Sequence, residues 1–213
     1  MAGVFITFEG LDGCGKTTQL RLLAEWLNEH GNDVLVTREP GGTALGQRVR
    51  ALLLENDAHI DPLAELLLFA ADRAQHVRTL ICPALTAGRI VLSDRYADAT
   101  AAYQGAGRQF DAALITQIIA LATDGLQPAL TLLFDLPAEE ALARTQSRAA
   151  TQPDRLDSEH ISFHRRVRQA YLDRAAAAPN RIRVLDARAD VAEIQTQVRA
   201  LIKAQISALT FDF

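Results

Sequence analysis

The chain has 213 residues, of which 49% are hydrophobic and 23% charged, and its 22 basic and 26 acidic side chains give a formal net charge of −4. A chain of this length can bury roughly 70% of the surface that it exposes when unfolded, so it can form a core without disulfides or a partner. We therefore expect one globular domain over residues 1–213. Two cysteines are too few for a disulfide framework and indicate a reducing compartment, which predicts a cytoplasmic protein.

The same numbers disfavour two classes of function. No apolar run reaches the roughly 18 residues that a membrane span needs, and no basic segment precedes the first apolar run, so we expect neither a membrane span nor a signal peptide. The acidic balance argues against a nucleic-acid-binding surface. Taken alone, it would also argue against polyphosphate substrates.

Short apolar runs alternate with helical patterns along the chain. Strands are predicted at 4–8, 34–37, 90–92, 130–134 and 182–185. Helices are predicted from 16 to a stop at Gly31, from Thr43 as N-cap through 53, from Asp61-Pro62, over 111–121, 137–148 and 159–177, and after Asp190. Five short strands alternating with helices indicate an α/β fold with a five-stranded parallel sheet and helices on both faces.

A glycine-rich segment follows the first predicted strand and fits the pattern G-x-x-x-x-G-K-[ST] of phosphate-binding P-loops. In such a loop backbone N–H groups converge on phosphate oxygens, the lysine reaches the β- and γ-phosphates, and the hydroxyl faces Mg²⁺. A strand before it and an amphipathic helix after it are the context that the motif requires, so we expect a nucleoside triphosphate to bind here. The predicted phosphate-binding residues are Gly10, Leu11, Asp12, Gly13, Cys14, Gly15, Lys16, Thr17 and Thr18.

The P-loop leaves the use of the triphosphate open, because kinases, motors and switches share it. The guanine-binding pattern N-K-x-D does not occur in the sequence, which disfavours a GTPase. A kinase and an ATP-driven switch remain as alternatives.

Further polar residues follow the second and third predicted strands, at the sheet edge where ligands bind in open α/β folds. Asp94 is placed like a carboxylate that holds Mg²⁺ through its water shell, so the predicted metal-site residues are Asp94 and Thr17. Arg38 and Arg95 could grip an acceptor phosphate through bidentate contacts. Each of these groups alone could be a surface ion pair, but their position at one edge favours a site. A second phosphate site favours a nucleoside monophosphate kinase over a switch.

Several stretches of the chain resemble thymidylate kinases of the bacterial type, a family of P-loop nucleoside monophosphate kinases. They are residues 8–18, 37–43, 69–76, 93–96 and 102–105, and the Arg-Glu-Pro-Gly-Gly and Tyr-Gln-Gly pieces are much more specific than a P-loop. The resemblance implies transfer of the γ-phosphoryl group of ATP to dTMP with Mg²⁺, in a cytoplasmic homodimer. The alternatives are another nucleoside monophosphate kinase or, from a different class, a P-loop switch.

Carried over by position, the resemblance also implies an acceptor site. Phe69 would stack on thymine and Arg73 would hydrogen-bond its O4; they lie four residues apart and so on one helix face. Without the resemblance, Phe69 would be interpreted as a core residue. Tyr103 would lie close to C2′ of the sugar, where a ribose hydroxyl would not fit. The implied substrate-binding residues are Arg38, Glu39, Phe69, Arg73, Arg95, Thr100, Tyr103 and Gln104.

A polar segment at about 145–158 separates two predicted helices, and we expect it to be a flap. Some members of the family carry a catalytic arginine within the P-loop, but this chain has Gly13 there, so the resemblance implies flap arginines instead. Arg148 and Arg155 are the candidates; alternatively, they are solvated charges at helix ends. An arginine supplied by the flap would stabilise the charge on the transferring phosphoryl group. The predicted catalytic residues are Asp12, Lys16, Arg95, Arg148 and Arg155.

The leucine-rich stretch at 63–80 has more apolar surface than one core face requires. Burial on two sides is one explanation. The dimer contact of the family uses this region, so the resemblance favours a homodimer interface.

Overall fold

The computed structural model describes residues 3–55, 59–147, 155–156 and 158–210, with side chains through residue 205. Five parallel strands form one sheet in the order β2-β3-β1-β4-β5. They are β1 (Val4–Glu9), β2 (Val34–Arg38), β3 (Ile90–Asp94), β4 (Leu130–Asp135) and β5 (Ile182–Asp186). The predicted α/β class and the five-stranded parallel sheet are confirmed.

Nine helices accompany the sheet within the described ranges. They are α1 (Lys16–Glu29), α2 (Ala44–Leu54), α3 (Pro62–His76), α4 (Cys82–Thr86), α5 (Ala97–Thr100), α6 (Ala112–Thr123), α7 (Ala138–Ser147), α8 (Ile161–Ala177) and α9 (Val191–Thr210). Ile6 and Phe8 of β1 pack into one hydrophobic cluster, whereas Phe5 packs into a second one. Because alternate residues of a strand point to opposite faces, the sheet has a core on both sides.

Four helices begin at capping residues that the sequence offers. Thr43 Oγ1 accepts from the N–H of Gly46 at 3.0 Å and so caps α2. Aspartates do the same for three other helices, because a short side chain can reach the unpaired N–H groups of a first turn. These caps are Asp61 for α3, Asp111 for α6 and Asp190 for α9.

Two π-helical segments, with wider turns than an α-helix, were not predicted from the sequence. The helix predicted from Asp61-Pro62 ends at His76, and the chain continues as a π-helical segment, Val77–Ile81, before α4. Pro83 explains the change, because a proline lacks the N–H donor and its ring would clash with the carbonyl four residues earlier. The second segment, Ala101–Gly107, follows α5. A Cβ at Gly107 would lie 2.5 Å from Cε2 of Phe163, so glycine is needed there.

Some sequence predictions fall on residues outside these ranges. Arg148 and most of the 145–158 flap lie there. Within the ranges that are described, no helix has the length and apolar character to cross a bilayer.

Candidate active site

The P-loop joins β1, the central strand of the sheet, to α1. Gly13 and Gly15 take left-handed backbone angles, with φ of 85° and 90°. A Cβ at Gly13 would lie 2.4 Å from the carbonyl oxygen of Ala141, so this position has no room for an arginine side chain. The packing of α7 against the loop therefore excludes an arginine at residue 13.

Lys16 lies almost completely buried at the start of α1. Its Nζ donates to Asp12 Oδ1 at 3.0 Å and to the carbonyl oxygen of Leu11 at 3.4 Å. Burial and the charge of Arg95 lower the pKa of Lys16, but Asp12 and Asp94 outweigh them and raise it above its usual value. Lys16 is therefore a fixed positive charge inside the loop.

Thr17 and Asp94 meet beside the loop: Thr17 Oγ1 donates to Asp94 Oδ2 at 2.6 Å. Hydroxyl and carboxylate oxygens are ligands that Mg²⁺ prefers, and Mg²⁺ bound with substrate phosphates uses only one or two protein ligands. Elsewhere in the described chain, no group of three or more His, Cys, Asp and Glu side chains could hold a metal ion. The pair predicted from the sequence therefore fits this cation.

Arg95 connects the P-loop to the neighbouring elements. Its Nη2 donates to Asp12 Oδ2 at 2.7 Å and to Tyr103 Oη at 3.0 Å, and its Nη1 donates to the carbonyl oxygen of Gly10 at 3.1 Å. Burial raises the pKa of Asp12, but the charges of Arg95 and Lys16 more than offset this and hold the pKa well below its usual range. The Asp12 carboxylate thus stays ionised between two cations.

Two adjoining cavities lie along this sheet edge. The larger one, of about 520 Å³, is lined by the P-loop side chains Lys16 and Thr17, by Asp94 and by the exposed Arg38. A narrower one, of about 70 Å³, lies next to it. The residues shared by both linings are Asp12, Glu39, Arg50 and Arg95.

All the residues that the resemblance implied around the base and sugar line the narrower cavity. They are Phe69, Arg73, Thr100, Tyr103 and Gln104. Phe69 is half-buried, not part of the fully buried core, as its predicted stacking role requires. Arg50, Leu54 and Leu156 also line this cavity but were missed, because nothing in their sequence surroundings marks them.

Arg73 is fully buried, and three of its nitrogens are hydrogen-bonded inside the protein. Nε donates to Glu39 Oε2 at 2.7 Å, Nη1 to Thr100 Oγ1 at 2.8 Å and Nη2 to the carbonyl oxygen of Tyr96 at 2.9 Å. Glu39 also accepts from His76 Nδ1 at 2.8 Å. A guanidinium has five N–H donors, so these bonds leave one hydrogen on each Nη atom for a ligand.

Arg155 is bound to two helices beside the narrower cavity. Its Nη2 donates to Glu65 Oε2 at 2.6 Å and its Nε donates to the carbonyl oxygen of Leu53 at 3.1 Å. These contacts place it with α2 and α3, and none of its hydrogen bonds to described residues reaches the P-loop.

A parallel sheet with a P-loop after its central strand, and a second arginine-lined cavity beside the P-loop, define a P-loop kinase of the nucleoside monophosphate kinase type. The profile of the thymidylate kinase family matches residues 8–198. A thymidylate kinase of Clavibacter sepedonicus is 53% identical over 98% of this chain and 100% of its own length, and one of Geotalea uraniireducens is 47% identical over 96% and 99%. The crystal structure of a thymidylate kinase from Ehrlichia chaffeensis is similar with a TM-score of 0.78 and 38% identity, covering 95% of this chain and 99% of that one. The chain belongs to the thymidylate kinase family.

Proposed function

We propose that the chain transfers the γ-phosphoryl group of ATP to dTMP, giving ADP and dTDP. The observation that carries this proposal is the wall that the two cavities share, where Arg95 and Asp12 contact each other. A donor triphosphate in the larger cavity and an acceptor in the narrower one would meet at this wall. The similarity to thymidylate kinases over nearly the whole chain supports dTMP as the acceptor.

In the proposed reaction an oxygen of the dTMP phosphate attacks the γ-phosphorus of ATP, and the bond from that phosphorus to the β–γ bridging oxygen breaks. The bridging oxygen leaves with the electron pair as part of ADP. Residues 10–18 bind the triphosphate, with Lys16 neutralising charge on the β- and γ-phosphates. Because phosphoryl transfer needs positioning and charge stabilisation more than covalent help, fixed charges such as Lys16 supply most of what the reaction needs.

The acceptor site orients dTMP by its phosphate and its base. Arg95, in the wall that the two cavities share, and Arg38, which lines the larger cavity, are proposed to bind this phosphate where the cavities meet. Asp12 holds Arg95 in place through their 2.7 Å contact. Phe69 stacks on thymine, and Arg73 uses its remaining hydrogens for the base oxygen. The residues proposed to complete this site are Glu39, Thr100 and Gln104, together with Tyr103 close to C2′ of the sugar.

Mg²⁺ is the proposed cofactor, with Thr17 and Asp94 as the residues that would hold it. When bound, it would neutralise charge on the phosphate oxygens. A flap at about 145–158 of this single domain supplies the proposed arginines, Arg148 and Arg155, that stabilise the transferring phosphoryl group.

A homodimer in the cytoplasm completes the proposal. α3 and α6 pack against each other, and both expose leucines: Leu63 and Leu67 on α3, and Leu114 and Leu121 on α6. The two cysteines are unpaired, which suits a reducing compartment.

The experiment that tests this function measures ADP release from Mg·ATP with dTMP, dUMP, UMP, AMP, GMP or CMP as acceptor. We expect dTMP to be the preferred acceptor and turnover to be negligible without one. Faster turnover with AMP or CMP would contradict the acceptor assignment, and acceptor-independent turnover would favour a switch.

Lys16→Ala is expected to lower kcat by about 10² or more, because it removes the fixed charge at the transferring phosphate. The chain offers a matched control in Lys203, its other lysine, which lies 5.4 Å from the ring of Trp26 on α1. Lys203→Ala should turn over at the wild-type rate. Equal activity of the two variants would contradict the assigned role of Lys16.

A further inference from the structure

Glu65 is a completely buried carboxylate in the first turn of α3, outside the P-loop and the phosphate sites. Its Oε1 accepts from Gln104 Nε2 at 2.8 Å and from Arg108 Nε at 3.2 Å. Its Oε2 accepts from Arg155 Nη2 at 2.6 Å and from Arg108 Nη2 at 3.0 Å. One side chain therefore joins α3, the segment Ala101–Gly107 that carries Gln104, and Arg155.

The charges around Glu65 are balanced. Arg108 donates through Nη1 to Glu159 Oε1 at 2.5 Å, and its guanidinium lies 5.0 Å from the ring centroid of Phe163. Burial raises the pKa of Glu65, but the hydrogen bonds from Arg108, Gln104 and Arg155 hold it below its usual value. A buried charge is tolerated when it is paired and hydrogen-bonded in this way, so Glu65 is an ionised acceptor held by four hydrogen bonds.

The contacts of Glu65 lead to the wall of the narrower cavity at three points. Gln104 itself lines the cavity. Arg155 is followed directly by Leu156, which lines the cavity and is buried. Arg155 Nε also binds the carbonyl oxygen of Leu53, whose neighbour Leu54 lines the cavity. Glu65 thus supports, from behind, side chains that come from three separate parts of the chain.

We propose that Glu65 is a positioning residue of the acceptor site, which fixes Gln104 directly and Leu156 through Arg155. The proposal rests on the proposed function, because it treats the narrower cavity as the dTMP site. It also gives Arg155 a defined role, since this arginine shapes the acceptor cavity through its contact with Glu65. This role replaces the transition-state role proposed above for Arg155, so Arg148 is the remaining flap candidate for it.

The first test compares Glu65→Gln with wild type in steady-state kinetics. The amide keeps the shape but places an N–H₂ group among the donors of Gln104, Arg108 and Arg155. We expect the KM for dTMP to rise by about tenfold or more, with the KM for ATP within about twofold of wild type. Glu159→Gln is the matched control, because it removes a carboxylate from the other side of Arg108 without contacting Gln104 or Arg155; its KM for dTMP should stay within about twofold.

The second test is a double-mutant cycle of Glu65→Gln with Arg155→Ala. Arg155→Ala removes the same contact from the partner that is more exposed, so it can still be measured if Glu65→Gln folds poorly. Arg155→Ala should raise the KM for dTMP by about fivefold or more with a smaller change in kcat. Because the two residues share the contact that positions Leu156, the double variant should raise the KM by less than the product of the two single effects.

Three results would overturn the proposal. The first is an unchanged KM for dTMP in Glu65→Gln, and the second is equal rises in both KM values that follow a loss of thermal stability. The third is a fall in kcat of Arg155→Ala at unchanged KM, which would assign this arginine to the transition state. Failure of the proposed function would instead show in the wild-type protein, as preference for another acceptor in the monophosphate panel; the variants would then be compared with that acceptor.

Discussion

At the scale of single residues, Arg95 is constrained at both its backbone and its side chain. Its φ of 72° lies in the left-handed region, which is costly for a residue with a side chain. Glu9 accepts from the backbone N–H of the next residue, Tyr96, at 2.8 Å, and from Tyr171 Oη at 2.7 Å. At the end of its side chain, the guanidinium of Arg95 donates to Asp12. Glu9 at the end of β1 and Asp12 in the P-loop therefore fix the backbone next to Arg95 and the side chain of Arg95.

Glu9 makes the stability of the protein depend on pH. Burial and the charge of Asp98 raise its pKa from 4.5 to about 7. The folded protein thus binds this proton more tightly than the unfolded chain, so the stabilisation is fully present below about pH 4.5 and is lost as the pH rises through about 7. At about 1.4 kcal/mol per pKa unit, the loss reaches about 3 kcal/mol. We expect Glu9→Gln to lack this loss in urea denaturation measured at a series of pH values.

Comparing Glu9→Gln with wild type separates the effect of Glu9 from that of Asp72, a buried carboxyl group whose pKa is also raised. Burial and the charge of Glu39 raise the pKa of Asp72 to about 6, but Asp72 is present in both proteins and its effect cancels in their difference. Glu25→Gln, which changes an exposed carboxylate paired with Arg21, is the control and should follow the wild-type curve. Parallel curves for Glu9→Gln and wild type would contradict the assignment.

At the scale of elements, α2 contributes to both cavities and depends on its N-cap. Arg50 and Leu54 of α2 line the site. Its first turn is pressed against α3, because a Cβ at Gly46 would lie 2.2 Å from Asp72 Oδ1. Thr43 supplies the only side-chain cap described for this helix, through its 3.0 Å contact with the N–H of Gly46.

Thr43→Ala is expected to lower the free energy of unfolding by about 1 kcal/mol, because it leaves an N–H of the first turn without its partner. Thr43→Ser keeps the hydroxyl and should remain within a few tenths of a kcal/mol of wild type. Urea denaturation at constant pH measures both. Equal destabilisation of the two variants would indicate that the methyl group of Thr43, not the cap, is responsible.

The elements were predictable from the sequence where a local signal exists. Each strand is a short apolar run, and residues such as Thr43 and Asp61 mark helix starts by their own chemistry. The π-helical segments were not predictable, because the wide turn before Pro83 and the packing of Gly107 on Phe163 depend on contacts with other parts of the chain.

The same distinction applies to the candidate site. The P-loop is contiguous in sequence, so its spacing identifies it. The proximity of the residues at the strand ends was also predictable, because the carboxyl ends of parallel strands lie at one edge of the sheet. The contact between Glu65 and Arg155 joins residues that are 90 positions apart. No sequence pattern near either residue predicts this contact. Such contacts appear only when the fold is known.

At the scale of the whole molecule, the net charge of −4 does not describe the site. The two cavities are lined by five basic side chains, Lys16, Arg38, Arg50, Arg73 and Arg95, and by three acidic ones, Asp12, Glu39 and Asp94. Positive groups therefore predominate where the phosphates are proposed to bind. A local excess of one charge can attract a substrate of opposite charge whatever the net charge of the surface.

The exposed leucines of α3 and α6 determine the proposed assembly. Leu67 is 52% exposed and Leu121 is 77% exposed, although each is a large apolar side chain. Burying one such leucine contributes about 1.5–3 kcal/mol. A twofold dimer uses the same surface of both protomers, so one substitution changes the interface twice.

Leu67→Asp and Leu121→Asp are therefore each expected to raise the Kd of the dimer by about 100-fold or more. The reason is that each substitution removes a buried leucine from both protomers, which costs about 3 kcal/mol or more of binding free energy in total. Sedimentation velocity at micromolar concentration should show a dimer for wild type and a shift to monomer for both variants. Val191→Asp is the matched control, since Val191 is 52% exposed but lies at the start of α9, away from α3 and α6. A monomeric wild type, or dissociation by Val191→Asp alone, would contradict an interface formed by α3 and α6.

Because α3 also carries Glu65, Phe69 and Arg73, a dissociated variant with a raised KM for dTMP would further indicate that dimerisation holds this helix in its substrate-binding position.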